Sequence, residues 1–409
     1  MQVQEKKTLR SGYTTGTCAA AAAGAAMMRL AAGTAPPAVE VELPSGERAC
    51  LTIEEEDGGT FWASCAVQKD AGDDPDVTNG TFVYARISRL NADCSLTEGD
   101  AGVRISDLPC YIEKGFPGLY VTGGEGIGMV TKEGLSCPPG SYAINPVPRR
   151  MILRETDRMR KKFGLENSGF LIEISIPAGK ELAEKTFNPK LGIVGGISVL
   201  GTTGIVNPMS EEALLLTIRL EIRVRAAEGR TLLAMAPGNY GEAFLREKTG
   251  LSLDSFVKCS NFIGDTVRMM REEGIRRVLL AGHQGKLIKV AAGVLNTHSR
   301  YGDGRMESMA ACALEAGMSH EAVKPLYGMN TTDEAADYLL SLGMLKPVME
   351  MAARKVKYVT EKAGEVETEV ILFSGRHGFL AQTDGANAMI RELKERDAFQ
   401  MAVQPSNHD

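Results

Sequence analysis

The spacing of hydrophobic residues in the first part of the chain predicts strands in succession. Up to about residue 187, apolar and polar residues alternate in short runs that end at glycine, proline or polar turns. The predicted strands cover 38–42, 48–53, 61–67, 81–90 and 169–176. Apart from an alanine-rich helix near the N-terminus, one cationic helix is predicted over 149–164. Strands in runs with few helices are typical of an α+β domain.

After about residue 187 the pattern alternates between short apolar runs and helical segments. The predicted strands cover 193–206, 232–236, 256–259, 277–281 and 369–373. The predicted helices begin at 210 and then cover 240–249, 264–273, 286–298 and much of 306–363. Strands and helices that alternate at this spacing imply a parallel sheet covered on both faces.

These two patterns divide the chain into two predicted domains. A chain of 409 residues exceeds the size at which a single core keeps growing. We expect a two-domain α+β and α/β protein. Its N-terminal α+β domain covers residues 1–186, and its C-terminal Rossmann-like α/β/α domain, with a mostly parallel sheet, covers residues 187–409.

Composition narrows the class of protein. Hydrophobic residues make up 44% of the chain and charged residues 24%, as in soluble globular proteins. A net charge of −6 argues against binding nucleic acid or an anionic membrane, because both need a basic footprint. No run approaches eighteen apolar residues, and a polar turn separates the N-terminal alanine run from the cations before it, unlike a signal peptide. We expect a cytoplasmic protein, and a homo-oligomer is left open.

The cysteines and histidines are spaced without a metal motif. None of the eight cysteines belongs to a CxxC pair, and none of the five histidines to HxxxH or HExxH. We therefore expect reduced thiols, most of them small core residues, and no metal site built by the protein.

The most distinctive motif is a turn rich in glycine and threonine at residues 10–17. A run of small residues follows from Ala19 to Ala26, and Thr17 stands where an N-cap is expected. Free N–H groups, hydroxyls and a positive helix end suit an anionic ligand. The alternative is an ordinary capped helix packed against a sheet.

A second glycine-rich segment, residues 192–209, opens the predicted α/β domain. Ligands of open α/β sheets bind outside the carboxyl ends of the strands, and a nucleoside needs close approach of the backbone. The alternative is a glycine-rich crossing between domains. A dinucleotide suits the segment less well, because the spacing is not GxGxxG and strand 232–236 ends without a carboxylate for a ribose hydroxyl.

Three further places carry candidate chemistry. At the strand–turn–helix corner 282–286, Lys286 and nearby amides can bind a carboxylate, and His283 titrates near neutrality. Arg149 and Arg150 follow a stiff Asn-Pro-Val-Pro turn, and a fixed guanidinium can hold a carboxylate at two points. The acidic loop around Asp74 lacks EF-hand spacing, which favours a turn-stabilising role.

Six segments, taken together and in chain order, resemble one known family. They are GYTTGTCAAAAAGAA at 12–26, GDDPDVT at 72–78, AINPVPR at 143–149, GIVGGISVLGTTGIVNPM at 192–209, KCSNFIG at 258–264 and GHQGK at 282–286. They are similar to the cobalt-precorrin-5B (C1)-methyltransferase family of anaerobic cobalamin biosynthesis. The resemblance covers most of the chain.

The resemblance implies methyl transfer from S-adenosylmethionine to ring carbon 1 of cobalt-precorrin-5B, giving cobalt-precorrin-6A. Cobalt then arrives already chelated in the corrinoid substrate, whose acetate and propionate arms require local cations. Such a transfer needs the nucleophilic carbon in line at about 3–3.5 Å in a dry pocket more than it needs an acid or base. If the ring loses a proton, His283 or Asp74 is the expected base.

On this basis we expect the first domain on the corrinoid side and the second on the cofactor side. The expected cofactor residues are Gly195, Gly196, Gly201, Thr202, Thr203 and Gly204. The expected substrate residues are Tyr13, Thr14, Thr15, Thr17, Arg149 and Lys286. Two alternatives stay open, an NAD(P)-dependent oxidoreductase and a non-catalytic corrinoid-binding protein.

Overall fold

The structure is a computed structural model that describes residues 9–97, 103–252 and 255–403. The chain divides into two compact units, Met1–Glu211 and Glu212–Asp409. Among the described residues, every helix is too short or too polar to span a bilayer.

The first unit is built mainly from strands. The strands are β1 (Gly12–Tyr13), β2 (Ala38–Glu42), β3 (Arg48–Thr52), β4 (Glu55–Gly58), β5 (Trp62–Gln68), β6 (Phe82–Arg89), β7 (Leu119–Gly123), β8 (Met129–Val130), β9 (Phe170–Ser175), β10 (Ile193–Val194) and β11 (Ile205–Val206). The helices are α1 (Thr15–Ala32), α2 (Pro146–Lys162) and α3 (Gly179–Ala183).

A five-stranded sheet and two helices form the core of this unit. The strand order is β4-β5-β6-β9-β7, and all neighbours are antiparallel except β7 and β9. Helix α1 packs against β5, β6 and α2. Its small side chains favour the helix and allow this close approach. Every residue from Cys18 to Met27 is buried. The predicted β2–β3 hairpin and strands β5, β6 and β9 are confirmed to within one or two residues at each end.

The structure corrects the start of α1. The predicted N-cap at Thr17 is wrong, because Thr14 is the N-cap and its Oγ1 accepts a hydrogen bond from the Thr17 N–H at 3.3 Å. The Thr17 hydroxyl instead donates to the carbonyl of Gly204 at 2.7 Å. A tertiary contact therefore determines which threonine caps the helix.

The structure also corrects the glycine-rich segment 192–209. The predicted continuous strand 193–206 is wrong. Only β10 and β11 form strands there, Ile197 and Val199 make isolated bridges, and glycines with positive φ interrupt the chain at Gly192, Gly195, Gly201 and Gly204. Strand β10 pairs with β8, and β11 pairs with β1. These pairings hold the segment in the first compact unit, which ends at Glu211.

The second unit alternates strands and helices. Its strands are β12 (Leu232–Ala236), β13 (Phe256–Lys258), β14 (Arg277–His283), β15 (Glu367–Ser374) and β16 (Gly378–Gln382). Its helices are α4 (Glu211–Ala227), α5 (Asn239–Thr249), α6 (Ile263–Glu272), α7 (Gln284–Ala291), α8 (Arg305–Glu315), α9 (His320–Val323), α10 (Thr332–Ser341), α11 (Leu345–Gly364) and α12 (Ala386–Val403).

One mostly parallel sheet organises this unit. The strand order is β13-β12-β14-β15-β16, with β12 to β15 parallel and β16 antiparallel at the edge. Alternate strand residues enter two cores, one shared with α5 and α12 and the other with α4, α6, α7, α8, α10 and α11. The predicted parallel sheet is therefore confirmed. Helix α7 ends earlier than predicted because Gly293, with φ 87°, follows its last turn.

The cysteines are free, and five of the eight are buried. Burial raises the pKa of Cys18, Cys65 and Cys259 to about 12. The five buried thiols therefore act as small apolar core groups, as predicted for most of the cysteines.

Candidate functional site

The carboxyl ends of β12 and β14 lie side by side in the second unit, because the two strands are parallel neighbours. The two strands are neighbours, but the helices that follow them leave on opposite faces of the sheet. Leu245 of α5 packs in one core, and Leu287 of α7 packs in the other. Such a change of direction separates the two connecting turns, and open α/β sheets bind ligands there. We call the place where Gly238, Asn261 and Lys286 meet the β12–β14 crevice.

A half-buried lysine crosses this crevice. Lys286, which follows β14, donates from Nζ to Oδ1 of Asn261, which follows β13, at 3.0 Å. Thr297 donates to the same oxygen at 3.1 Å. Burial lowers the pKa of Lys286. The ammonium has three protons, so it keeps donors for a ligand after bonding Asn261.

The turn after β12 leaves open space beside this lysine. Gly238 has φ 97° and precedes α5 as its N-cap residue. A Cβ at Gly238 would have Lys286 Nζ as its nearest described atom, at 3.8 Å. The ammonium of Lys286, the open space beside Gly238 and the start of α5 therefore lie together at the end of β12. This arrangement is suited to binding a carboxylate.

His283 caps a helix at the same edge. Its Nδ1 accepts the Gly285 N–H at 3.1 Å, so the proton of the neutral ring is on Nε2. Burial lowers the pKa of His283, although Asp333 opposes the shift. The neutral ring has no lone pair left to act as a base in this geometry. The arrangement thus favours a structural role for His283.

The predicted cofactor glycines lie elsewhere, in the first unit. A Cβ at Gly196 would lie 2.3 Å from the carbonyl oxygen of Gly126, and one at Gly201 would lie 2.2 Å from Thr14 Oγ1. At Gly204 it would meet Leu43 at 2.7 Å. These three positions require glycine because the protein's own chain fills the space.

The other members of that predicted group are on the surface. Gly195 is exposed with open space around its missing Cβ, and Thr202 and Thr203 are exposed. The Thr203 hydroxyl bonds within its own turn, to Ile205. The segment 195–204 itself contains no cationic residue, unlike the turn that carries Lys286.

The predicted threonine turn is adjacent to this segment but is used internally. Thr14 and Thr17 share a 3.0 Å hydroxyl contact, and the backbone of Gly16 donates to Leu200. Tyr13 pairs with Ile205 between β1 and β11. All three threonines, Thr15 included, are buried. The structure therefore brings the predicted substrate residues of the threonine turn next to the predicted cofactor segment, through hydrogen bonds that stabilise the fold.

Arg149 and Asp74 also have protein partners. Arg149 is 8% exposed, donates to Glu113 at 3.0 Å and to the Ile144 carbonyl at 2.9 Å, and lies over the ring of Tyr111. Asp74 accepts the N–H of Met209 at 2.9 Å. Both residues thus have protein partners that explain their position. The amide that Asp74 accepts lies 135 residues away and not in its own turn.

Gly238 and Asn261 are candidate site residues that the sequence interpretation missed. Both had usable signals, since Pro-Gly-Asn-Tyr-Gly directly follows strand 232–236 and Asn261 lies within the segment 258–264. Within the described ranges, no group of three or more His, Cys, Asp or Glu side chains is arranged to hold a metal ion.

Comparisons with known proteins identify the family. A protein from Thermoanaerobacter sp. (strain X514) is 42% identical over 386 residues, 93% of this chain and 97% of its own length. One from Ruminiclostridium cellulolyticum is 40% identical over 97% of this chain and 98% of its own length. Both are named cobalt-precorrin-5B C(1)-methyltransferase. The crystal structure of a cobalamin biosynthesis protein (cbiD) from Archaeoglobus fulgidus is 26% identical, covers 71% of this chain and 82% of that one, and has a TM-score of 0.37.

Family models give the same result for both parts of the chain. The CbiD model matches residues 2–208, and the model of the CbiD C-terminal domain matches residues 296–384. Because the relatives described above are 40–42% identical over nearly the full length of both chains, this chain belongs to the CbiD family.

Proposed function

We propose that this protein methylates carbon 1 of cobalt-precorrin-5B, with S-adenosylmethionine as donor and cobalt-precorrin-6A as product. The observation that carries the proposal is the similarity to relatives of that name over nearly the full length of both chains. A methyltransferase requires a methyl donor. Its cobalt belongs to the corrinoid substrate, and we place the activity in the cytoplasm.

We further propose that the donor binds in the β12–β14 crevice instead of at residues 195–204. When bound there, S-adenosylmethionine would supply an electrophilic methyl group. Lys286 would hold its carboxylate, Asn261 would orient the ammonium of Lys286, and the missing side chain of Gly238 would leave room for it. The glycines at 196, 201 and 204 support this choice because the protein itself fills the space beside them.

Besides binding both molecules, methyl transfer requires that the donor methyl group and the nucleophilic carbon be held in line in a site that excludes water. Because His283 caps α7 and Asp74 holds Met209, we assign neither of them as an essential base. We assign the corrinoid to the first unit and the donor to the second.

The test is transfer of label from S-[methyl-³H]adenosylmethionine to cobalt-precorrin-5B under anaerobic conditions. We expect tritium in the corrinoid and an equal amount of S-adenosylhomocysteine. Binding of corrinoid without transfer would instead support a carrier. Calorimetric binding of NAD(P), with none of S-adenosylhomocysteine, would support an oxidoreductase.

A further inference from the structure

A groove with a volume of about 350 Å³ lies along α2 in the first unit. Four of its lining residues follow the spacing i, i+3, i+4 and i+7 on α2, so they share one face of the helix. The other two come from the turn between β2 and β3 and from the loop before β7. The lining residues are Pro44, Phe116, Val147, Arg150, Met151 and Arg154.

Two arginines line this groove, and one of them is paired with an acidic residue. Arg154 pairs with Glu42 at 3.2 Å, and Arg149, one position before the groove residue, pairs with Glu113 at 3.0 Å. Arg150 is exposed, and it has no hydrogen-bond or ion-pair partner among the residues that the structure describes. The groove therefore combines apolar walls with one uncompensated guanidinium.

This combination selects a particular ligand chemistry. A guanidinium binds a carboxylate through two parallel hydrogen bonds, and apolar walls favour a hydrocarbon arm beside it. A volume of about 350 Å³ is at the lower end of small-molecule sites, which span about 300–1,000 Å³. The groove therefore suits one arm or edge of a large ligand better than the whole molecule.

We propose that this groove anchors one carboxylate-bearing arm of the corrinoid, with Arg150 as the anion partner. This inference rests on the proposed function, which supplies a substrate with acetate and propionate arms. It moves the expected carboxylate contact from Arg149 to Arg150. Successive helix residues point about 100° apart, so one of them faces Glu113 and the core while the next faces the groove.

The experiment compares corrinoid binding by Arg150→Ala, Arg150→Lys and wild-type protein in anaerobic absorbance titrations. A charge-assisted hydrogen bond predicts roughly ten- to a hundredfold weaker binding for Arg150→Ala and partial recovery for Arg150→Lys. The matched control is Lys162→Ala, which removes an exposed cation from the last turn of α2 and should leave affinity unchanged. Binding of S-adenosylhomocysteine should be the same in all four proteins.

A second ligand tests the charge directly. The same corrinoid with esterified arms should bind wild type more weakly than the free acid, and Arg150→Ala should lose this preference. Affinity within twofold of wild type in Arg150→Ala, or an unchanged preference for the acid, would overturn the proposal. If wild type binds corrinoid but transfers no methyl group, only the proposed function fails. If wild type binds no corrinoid, both fail.

Discussion

The glycines of two turns in this molecule serve opposite purposes. In the first unit, a Cβ at Gly201 would lie 2.2 Å from Thr14 Oγ1, and one at Gly196 would lie 2.3 Å from the Gly126 carbonyl. In the second unit, a Cβ at Gly238 would come no closer than 3.8 Å to Lys286 Nζ. The first set of glycines lets the chain pack against itself. The second leaves space beside a cation.

The difference shows what separates a packing motif from a candidate ligand site. Both turns combine glycine, polar groups and the start of a helix, so they look alike in sequence. The hydroxyls of Thr14 and Thr17 are already bonded within the first unit. Lys286 bonds one acceptor among the residues that the structure describes, and its ammonium retains donors. Unused hydrogen-bonding capacity, more than glycine content, marks the better candidate.

The largest expected effect tests the packing side of this comparison. Gly196→Ala should lower the free energy of unfolding by about 3 kcal/mol, because its Cβ would overlap the Gly126 backbone. Gly195→Ala is the matched control, since its φ of 81° adds roughly 1 kcal/mol of strain but its surroundings are open. Thermal unfolding followed by circular dichroism measures both. Equal losses in the two variants would contradict the packing interpretation.

The next effect tests the ligand side. Lys286→Ala should weaken binding of S-adenosylhomocysteine roughly ten- to a hundredfold, since a charge-assisted hydrogen bond contributes about 1.5–3 kcal/mol. Lys362→Ala removes an exposed lysine of α11 and serves as the control in the same calorimetric titration. Unchanged affinity in Lys286→Ala would remove the β12–β14 crevice as the donor site.

The pH dependence of donor binding sharpens this test. Burial lowers the pKa of Lys286, so its ammonium is lost as pH rises through a value below the usual 10.5. Donor affinity should therefore decline on the alkaline side before an ordinary lysine deprotonates. Lys286→Arg, which stays charged, should shift this decline to higher pH. A profile identical in both proteins would show that Lys286 does not contact the carboxylate.

A smaller effect tests the cap of α1. Thr14→Val removes the hydroxyl that accepts the Thr17 N–H and should lower the free energy of unfolding by about 1 kcal/mol. Thr15→Val is the matched control, because Thr15 is buried but its hydroxyl bonds no described residue. If Thr17 were the cap after all, Thr14→Val would behave like Thr15→Val in chemical denaturation.

The smallest effect concerns His283. His283→Asn keeps a side-chain acceptor at an N-cap and should change turnover by less than about threefold, whereas loss of a general base typically reduces it 10²- to 10⁴-fold. The lowered pKa of His283 also means that the unfolded chain binds the proton first as pH falls below 6.5. Stability should therefore fall with acidification in wild type and fall less in His283→Asn.

The sequence predicts structure best where local pattern and final environment agree. Strand β12 has its predicted bounds, Leu232–Ala236, because a strand buried on both faces is a continuous apolar run bounded by turns. Segment 193–206 could not be predicted in this way. Its two short strands pair with residues 12–13 and 129–130, which are distant along the chain.

The candidate site shows the same limit. Lys286 could be identified from its position at a strand–turn–helix corner. Its bond to Asn261 and its proximity to Gly238 depend on the strand order β13-β12-β14, which no local spacing encodes. Arg149 and Arg150 are adjacent in sequence, and only the rotation of α2 distinguishes the buried one from the exposed one.

Helix α1 has a consequence for the order of events during synthesis. Its residues from Thr15 to Met27 are all buried, so this stretch has no polar face with which to remain in water. Its partner α2 ends at Lys162, about 130 residues after α1 ends at Ala32. At ribosomal rates of about 5–20 residues per second, α1 leaves the ribosome roughly 10 s before its partner is complete. The first helix to be made can pack against β5 and β6 once they are complete, but its surface toward α2 stays uncovered until about 130 residues after Ala32 have been added.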